Sequence, residues 1–104
     1  MAQFDVHRNP GRNRTAIPYL VVVQGNRWEN RPDRVVVPLV AAHEVDYRDR
    51  TLNPEFLIEG TPVILNPLQI VAIPARFLGP VVASFDHEHT RIIAAIDLLI
   101  QQGR

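Results

Sequence analysis

The chain has no cysteine and no lysine, and it has a single serine, Ser84, and a single tryptophan, Trp28. Without cysteine there can be no disulfide and no thiolate metal site, so the fold must rest on packing and hydrogen bonds. Without lysine, all eleven basic residues are Arg, and eleven acids bring the formal net charge to zero. That balance argues against a general nucleic-acid binder, and no direct, specific nucleic-acid binding is expected. No apolar stretch approaches the ~18 residues that a bilayer span requires. The start, Met1-Ala2-Gln3-Phe4-Asp5, lacks the basic segment and apolar run of a secretory signal. These absences predict a cytoplasmic protein with no membrane partner. With 104 residues, the expectation is one domain over 1–104, since domains cluster near ~100–150 residues. A domain this small leaves much of its chain exposed, and dimerisation would bury more apolar area.

Hydrophobic periodicity predicts a mainly β fold. Residues 3–7 alternate, with Phe4 and Val6 on one side, and Asn9-Pro10-Gly11 reads as a turn. Residues 17–24 are apolar and β-branched, which predicts a well-buried strand with Pro18 near its start. Residues 25–33 form a polar loop around Trp28. Residues 34–40 make a strong strand whose internal Pro38 points to a sheet edge or a bulge. Residues 41–51 are ambiguous, with Val45 and Tyr47 able to form a short strand or a loop. Residues 55–59 and 62–65 flank Gly60-Thr61 as a hairpin. Asn66-Pro67 breaks the chain, an apolar segment runs to Pro74, and Phe77-Leu78-Gly79-Pro80 turns it again. The last element is a helix, with Asp86 as N-cap, Glu88 in its first turn and Gly103 to end it. Ile92, Ile93, Ile96, Leu99 and Ile100 recur as one apolar stripe that packing should cover. Strands not separated by helices argue against a parallel α/β sheet and suggest a small, partly closed antiparallel barrel with one C-terminal α-helix.

Motifs for chemistry are lacking. His87 and His89 are two apart, so on a helix they point to different faces, and the spacing of a metalloprotease motif is missing. Ser84 has no surrounding GxSxG. The glycines are scattered and build no phosphate cradle, and the carboxylates are dispersed. No catalytic, cofactor-binding or metal-ligating residue is therefore named. Arg8, Arg12 and Arg14 read as a solvated hairpin loop. Trp28 could be a core plug or an exposed anchor. Its neighbours Asn26, Arg27, Glu29, Asn30 and Arg31 make burial costly and favour the anchor, in keeping with the enrichment of Trp and Arg at binding hot spots.

An ordered series of segments resembles one family. These are Gln3-Phe4-Asp5-Val6, then Tyr19-Leu20-Val21-Val22-Val23-Gln24, then Arg34-Val35-Val36-Val37-Pro38-Leu39. Leu52-Asn53-Pro54, Ile73-Pro74 and Ala94-Ala95-Ile96-Asp97-Leu98-Leu99 complete it. Together they resemble CcdB, the toxin of plasmid and chromosomal toxin–antitoxin (addiction) modules. The resemblance implies an SH3-like β-barrel of the CcdB/Kid/MazF type and a homodimer. It implies binding to the DNA gyrase A subunit that traps the enzyme on cleaved DNA, and neutralisation by a cognate CcdA-like antitoxin. It implies neither enzymatic activity nor a cofactor. Carried over by position, the gyrase-facing surface is the loop after the Val-Gln strand and the end of the last helix: Arg27, Trp28, Asp97, Ile100, Gln101, Gln102, Gly103 and Arg104. Asp97 stands where the family has Asn or Asp, and Arg27 and Trp28 where some members carry two apolar residues. Gly103 and Arg104 stand where family chains commonly carry Gly-Ile. Two other readings share the fold: a non-poisonous dimeric protein binding an antitoxin or other partner, and a Kid/MazF-like ribonuclease toxin.

Overall fold

The computed structural model describes residues 2–101. Its strands are β1 (Asp5–Arg8), β2 (Tyr19–Val22), β3 (Asp33–Ala41), β4 (Glu55–Ile58), β5 (Thr61–Leu65), β6 (Val71–Pro74) and β7 (Val81–Ser84), followed by the helix α1 (His89–Ile100). All pairings are antiparallel. The order is β4-β5-β3-β2-β1-β7, with β6 on β3, and the sheet curls into a half-barrel as the sequence leads one to expect.

The long strand β3 organises this arrangement. One side pairs with β2 (Val36 with Val22, Leu39 with Tyr19). The other side is shared: Asp33 to Val36 face β6, and Leu39 to Ala41 face β5. All four residues of β2 are buried because both of its faces are covered. Tyr19 and Val21 join the main core with Val6, Val37, Leu39 and Ile92. Leu20 and Val22 face a second cluster with Val36, against which Ile17, Ile73 and Leu78 pack. Two covered faces explain an unbroken apolar run where a half-buried strand would alternate.

Pro38 corrects the expectation of an edge or a bulge. It lies inside β3 opposite Leu20, with sheet on both sides. Its carbonyl accepts from Asn66 N at 3.0 Å, so its nitrogen faces the same way, into the gap between the β5 and β6 pairings. A ladder donor is not required there, and proline is tolerated. Residues 45 and 47 resolve as loop rather than strand, after a 3-10 turn at Ala42–Glu44.

The hairpin turn sits one residue earlier than the sequence suggests. Ile58 pairs with Thr61, leaving Glu59-Gly60 as the two-residue loop. Both have left-handed φ, 53° and 78°, as a loop matching the strand twist requires. Glu59 is a costly residue there, and its carboxylate is held: Oε1 accepts from the Tyr19 hydroxyl (2.9 Å), and both oxygens accept from Arg8 Nη2 (2.9 and 3.0 Å). Burial, and next the Glu59 carboxylate, push the Tyr19 phenol above its usual pKa.

The sheet edges β4 and β7 meet through side chains. Phe56 of β4 stacks on Phe85, just after β7, with centroids 4.5 Å apart. Arg91 of α1 lies 4.4 Å over the Phe56 ring and donates to the Glu55 carbonyl. At the start of β7, Gly79 N donates to Arg8 O (3.2 Å), while its own carbonyl accepts from the buried His7 Nδ1 (2.8 Å).

The helix start also differs from expectation. Asp86 makes no capping bond; it opens a 3-10 turn, Asp86–Glu88, that leads into α1. The hydroxyl of Ser84, two residues earlier, accepts from Asp86 N instead. Ile92 and Ala95 are fully buried, but Ile93 and Ile100 are exposed. They lie roughly 80–100° round the helix from Ile92, beyond the face the sheet covers. The helix ends at Ile100, and Gly103, the expected stop, lies outside the described residues. No helix among the described residues is long and apolar enough to cross a membrane.

Candidate functional site

The chain leaves β2 through Val23 and Gln24 and returns as β3, and the 3-10 turn Asn26–Trp28 lies between them. Local bonds close the turn: Trp28 N donates to Gly25 O, Glu29 N to Asn26 O, and Arg31 N to Trp28 O. Side chains then clamp it to the sheet. Gln24 donates through Nε2 to Trp28 O (2.9 Å) and accepts through Oε1 from Val35 N (3.0 Å). Asn26 Oδ1 accepts from Gln3 N at 2.8 Å. The buried Arg34 guanidinium donates to the carbonyls of Glu29, Arg31 and Asp33. These bonds satisfy backbone groups that would otherwise need water, so the turn is a fixed platform.

On that platform Arg27 and Trp28 face outward. Trp28 is 49% exposed, which excludes the core-plug reading. The Arg27 guanidinium stands 5.2 Å from the indole centroid, within cation–π reach. An amphipathic ring carrying a weakly hydrated cation suits a protein contact better than bulk water.

The helical residues carried over from the sequence are also at the surface. Asp97 and Gln101 are exposed, and Ile100 is 75% exposed. Ile93, Asp97 and Ile100 follow at four- and three-residue spacing and share one solvent-facing stripe. The sequence placed Ile93 in the stripe to be covered and not at the surface, although its distance of four from Asp97 and seven from Ile100 carried the signal. Arg34 and Gln24, which build the platform, were missed as well. Gln102, Gly103 and Arg104 lie outside the described residues.

The structure does not gather these residues into one patch. The turn is tied to Gln3, and the neighbouring Phe4 ring lies 6.0 Å from His89, the first residue of α1. Eleven residues of helix, about 16 Å, separate that end from Ile100. Leu98 instead lines a cleft of about 710 Å³ with Glu44, Tyr47, Asp49 and Leu52. Backbone N–H groups of Leu52 and Thr51 hold the Asp49 carboxyl below its ordinary pKa. A second cleft of about 640 Å³ lies over Leu20, Ile73, Phe77 and Leu78.

Groups suited to chemistry are engaged elsewhere. His7 is buried with Nδ1 on the Gly79 carbonyl, and the Ser84 hydroxyl serves the Asp86 amide. Among the described residues no three His, Asp or Glu side chains group as metal ligands. Among the described residues the Ser84 hydroxyl is hydrogen-bonded to no histidine or carboxylate side chain.

No curated protein matches the chain. The family described as CcdB protein matches it over residues 3–102, which takes in the clamped turn, the whole sheet and α1. A match of that extent, on a half-barrel closed by a C-terminal helix, places the chain in the CcdB family and supports its reading as the toxin of a toxin–antitoxin module.

Proposed function

We propose that the chain binds the A subunit of DNA gyrase and traps the enzyme on cleaved DNA, acting by contact and not by catalysis. The contact residues fall in two separate parts of one protomer, the Arg27–Trp28 turn and the end of α1: Asp97, Ile100 and Gln101, extended by Gln102, Gly103 and Arg104. The working form is a cytoplasmic homodimer, and a CcdA-like antitoxin neutralises it. One observation carries this reading: a half-exposed Trp28 held on a backbone-clamped turn beside Arg27. Presenting a large ring in fixed form lowers the ordering cost of association. Family membership supplies the class of partner.

The test is calorimetric titration of the full chain into the gyrase A dimerisation fragment of its own host. Trp28→Ala should cost about 2 kcal/mol or more, roughly 30-fold in Kd, as truncating a hot-spot residue does. Asp97→Lys should weaken binding with the fold intact. A folded sample that shows no heat of binding overturns the proposal.

A further inference from the structure

We propose that Arg34 is a positioning residue for the contact turn: its guanidinium pre-orders the segment that presents Arg27 and Trp28, so that its loss weakens partner binding without unfolding the barrel. The inference rests on the gyrase-binding reading for its partner, but its structural half stands on the free chain.

The argument begins with an unusual placement of charge. Arg34 is 7% exposed, and burying a guanidinium is costly unless it is paired. Among the described residues no carboxylate lies within ion-pair distance of it. Its partners are three backbone carbonyls. Nη1 donates to Arg31 and Asp33, and Nη2 donates to Glu29. Its Nε is buried with no hydrogen-bond partner.

Carbonyl dipoles take the place of a carboxylate here, so no second charge is buried. The bonds it makes instead all fall on the return segment just after Trp28. The planar fork reaches carbonyls one, three and five residues back along the chain, so it fixes the shape of that segment as one unit. Gln24 holds the same turn from the other side, through the Trp28 carbonyl. Both side chains bond to backbone carbonyls of the segment, and the indole stays half-exposed, so both act on its presentation. Without the fork, residues 29–33 gain freedom that a partner must remove on binding. The affinity should fall by about tenfold, the ordering cost of one rotamer-rich side chain with its turn.

Trp28 is the only tryptophan, so its fluorescence reports the turn directly. The variant is Arg34→Lys, which keeps the charge and loses the fork. The expected result is faster local depolarisation of Trp28 and stronger acrylamide quenching while far-UV circular dichroism stays that of the folded chain, with about tenfold weaker binding to the gyrase A fragment. Unchanged Trp28 depolarisation in a folded Arg34→Lys chain overturns the proposal. Should that variant not fold, the unaltered protein decides by NMR: slow rotation about the Arg34 Cζ–Nη bonds supports the clamp, and free rotation overturns it. Failure of the unaltered chain to bind gyrase A would instead overturn the functional reading, and the fluorescence result would still decide the role of Arg34.

Discussion

Gly79→Ala is a single methyl group placed where the barrel cannot yield cheaply. A Cβ at Gly79 would lie 2.5 Å from the Arg8 carbonyl oxygen and 3.3 Å from its carbon. Both are backbone atoms of β1, so no side chain can swing aside. The unfolded state pulls the other way, because Gly→Ala at a compatible position stabilises by about 0.4–1 kcal/mol. Moving the segment has a further consequence. The Gly79 carbonyl accepts from His7 Nδ1 at 2.8 Å, and His7 Nε2 is buried with no partner already. Breaking that bond leaves both nitrogens of a buried ring unpaired, at about 1–3 kcal/mol. Overpacking adds about 1–3 kcal/mol. The net loss is then about 1–5 kcal/mol, centred on ~3 kcal/mol, a large part of the ~5–15 kcal/mol that holds a domain folded.

Urea unfolding followed by circular dichroism at neutral pH measures this. With a slope of about 2 kcal/mol/M and a loss of about 3 kcal/mol, the midpoint should fall by about 1.5 M with the slope unchanged. A double-mutant cycle separates the two contributions. In a His7→Leu background the hydrogen-bond part has already gone, so Gly79→Ala should cost about 1 kcal/mol less than in the unaltered chain. A loss under about 0.5 kcal/mol in the single variant would refute the close approach. A cycle with no coupling would refute the part assigned to His7.

Three further outcomes can be checked on the free protein. Glu59→Ala leaves the Tyr19 hydroxyl without its acceptor and should cost about 1–2 kcal/mol, whereas Glu59→Gly, free of the left-handed penalty at φ 53°, should be about 1 kcal/mol less harmful by calorimetry. In a Tyr47→Phe background, phenolate absorbance should show Tyr19 ionising above a free tyrosine; a folded-state pKa raised in this way gives stability that is complete below the unfolded value and lost as pH rises through the folded one, so alkaline unfolding should track the absorbance change. Ile92→Ala empties a fully buried site and should cost about 2–5 kcal/mol, while its exposed neighbour in Ile93→Ala should stay within about 0.5 kcal/mol in the same urea assay.

The strands were legible where burial writes itself into residue type. Residues 19–22 and 36–39 are apolar and rich in valine because they are covered on both faces, and no alternation was needed to find them. Exposure of Trp28 was legible for a related reason: five polar or charged neighbours cannot follow a ring into a core at acceptable cost. The helix was legible as a periodicity, but the width of its buried face was not. An apolar stripe states which residues tolerate burial, whereas how many are covered depends on the sheet beneath, and Ile93 and Ile100 fall outside it. Asp86 misled because residue preference at a cap presumes that the helix begins there, whereas the amides its side chain would have reached are spent in the 3-10 turn, Glu88 N on the Phe85 carbonyl and His89 N on the Asp86 carbonyl.

Pro38 and Arg34 were illegible for one physical reason: each answers a demand for hydrogen bonds that only the folded backbone sets. A proline forbids a ladder bond on one side of a strand at one position, which excludes a central strand only if a neighbour requires a bond there. The chain between β5 and β6 leaves that position without such a demand, so the same residue that marks an edge elsewhere sits in the middle of this sheet. An arginine at the start of a strand likewise reads as solvated until the loop before it folds back and offers three carbonyls. In both cases composition limits what the residue can do, and the neighbours supplied by the fold decide which of those things it does. Residues of this kind are where the platform under Arg27 and Trp28 was built, and it follows that the turn's presentation cannot be transplanted by copying residues 25–33 alone. A loop graft carrying those residues without Gln24 and Arg34 should leave Trp28 mobile.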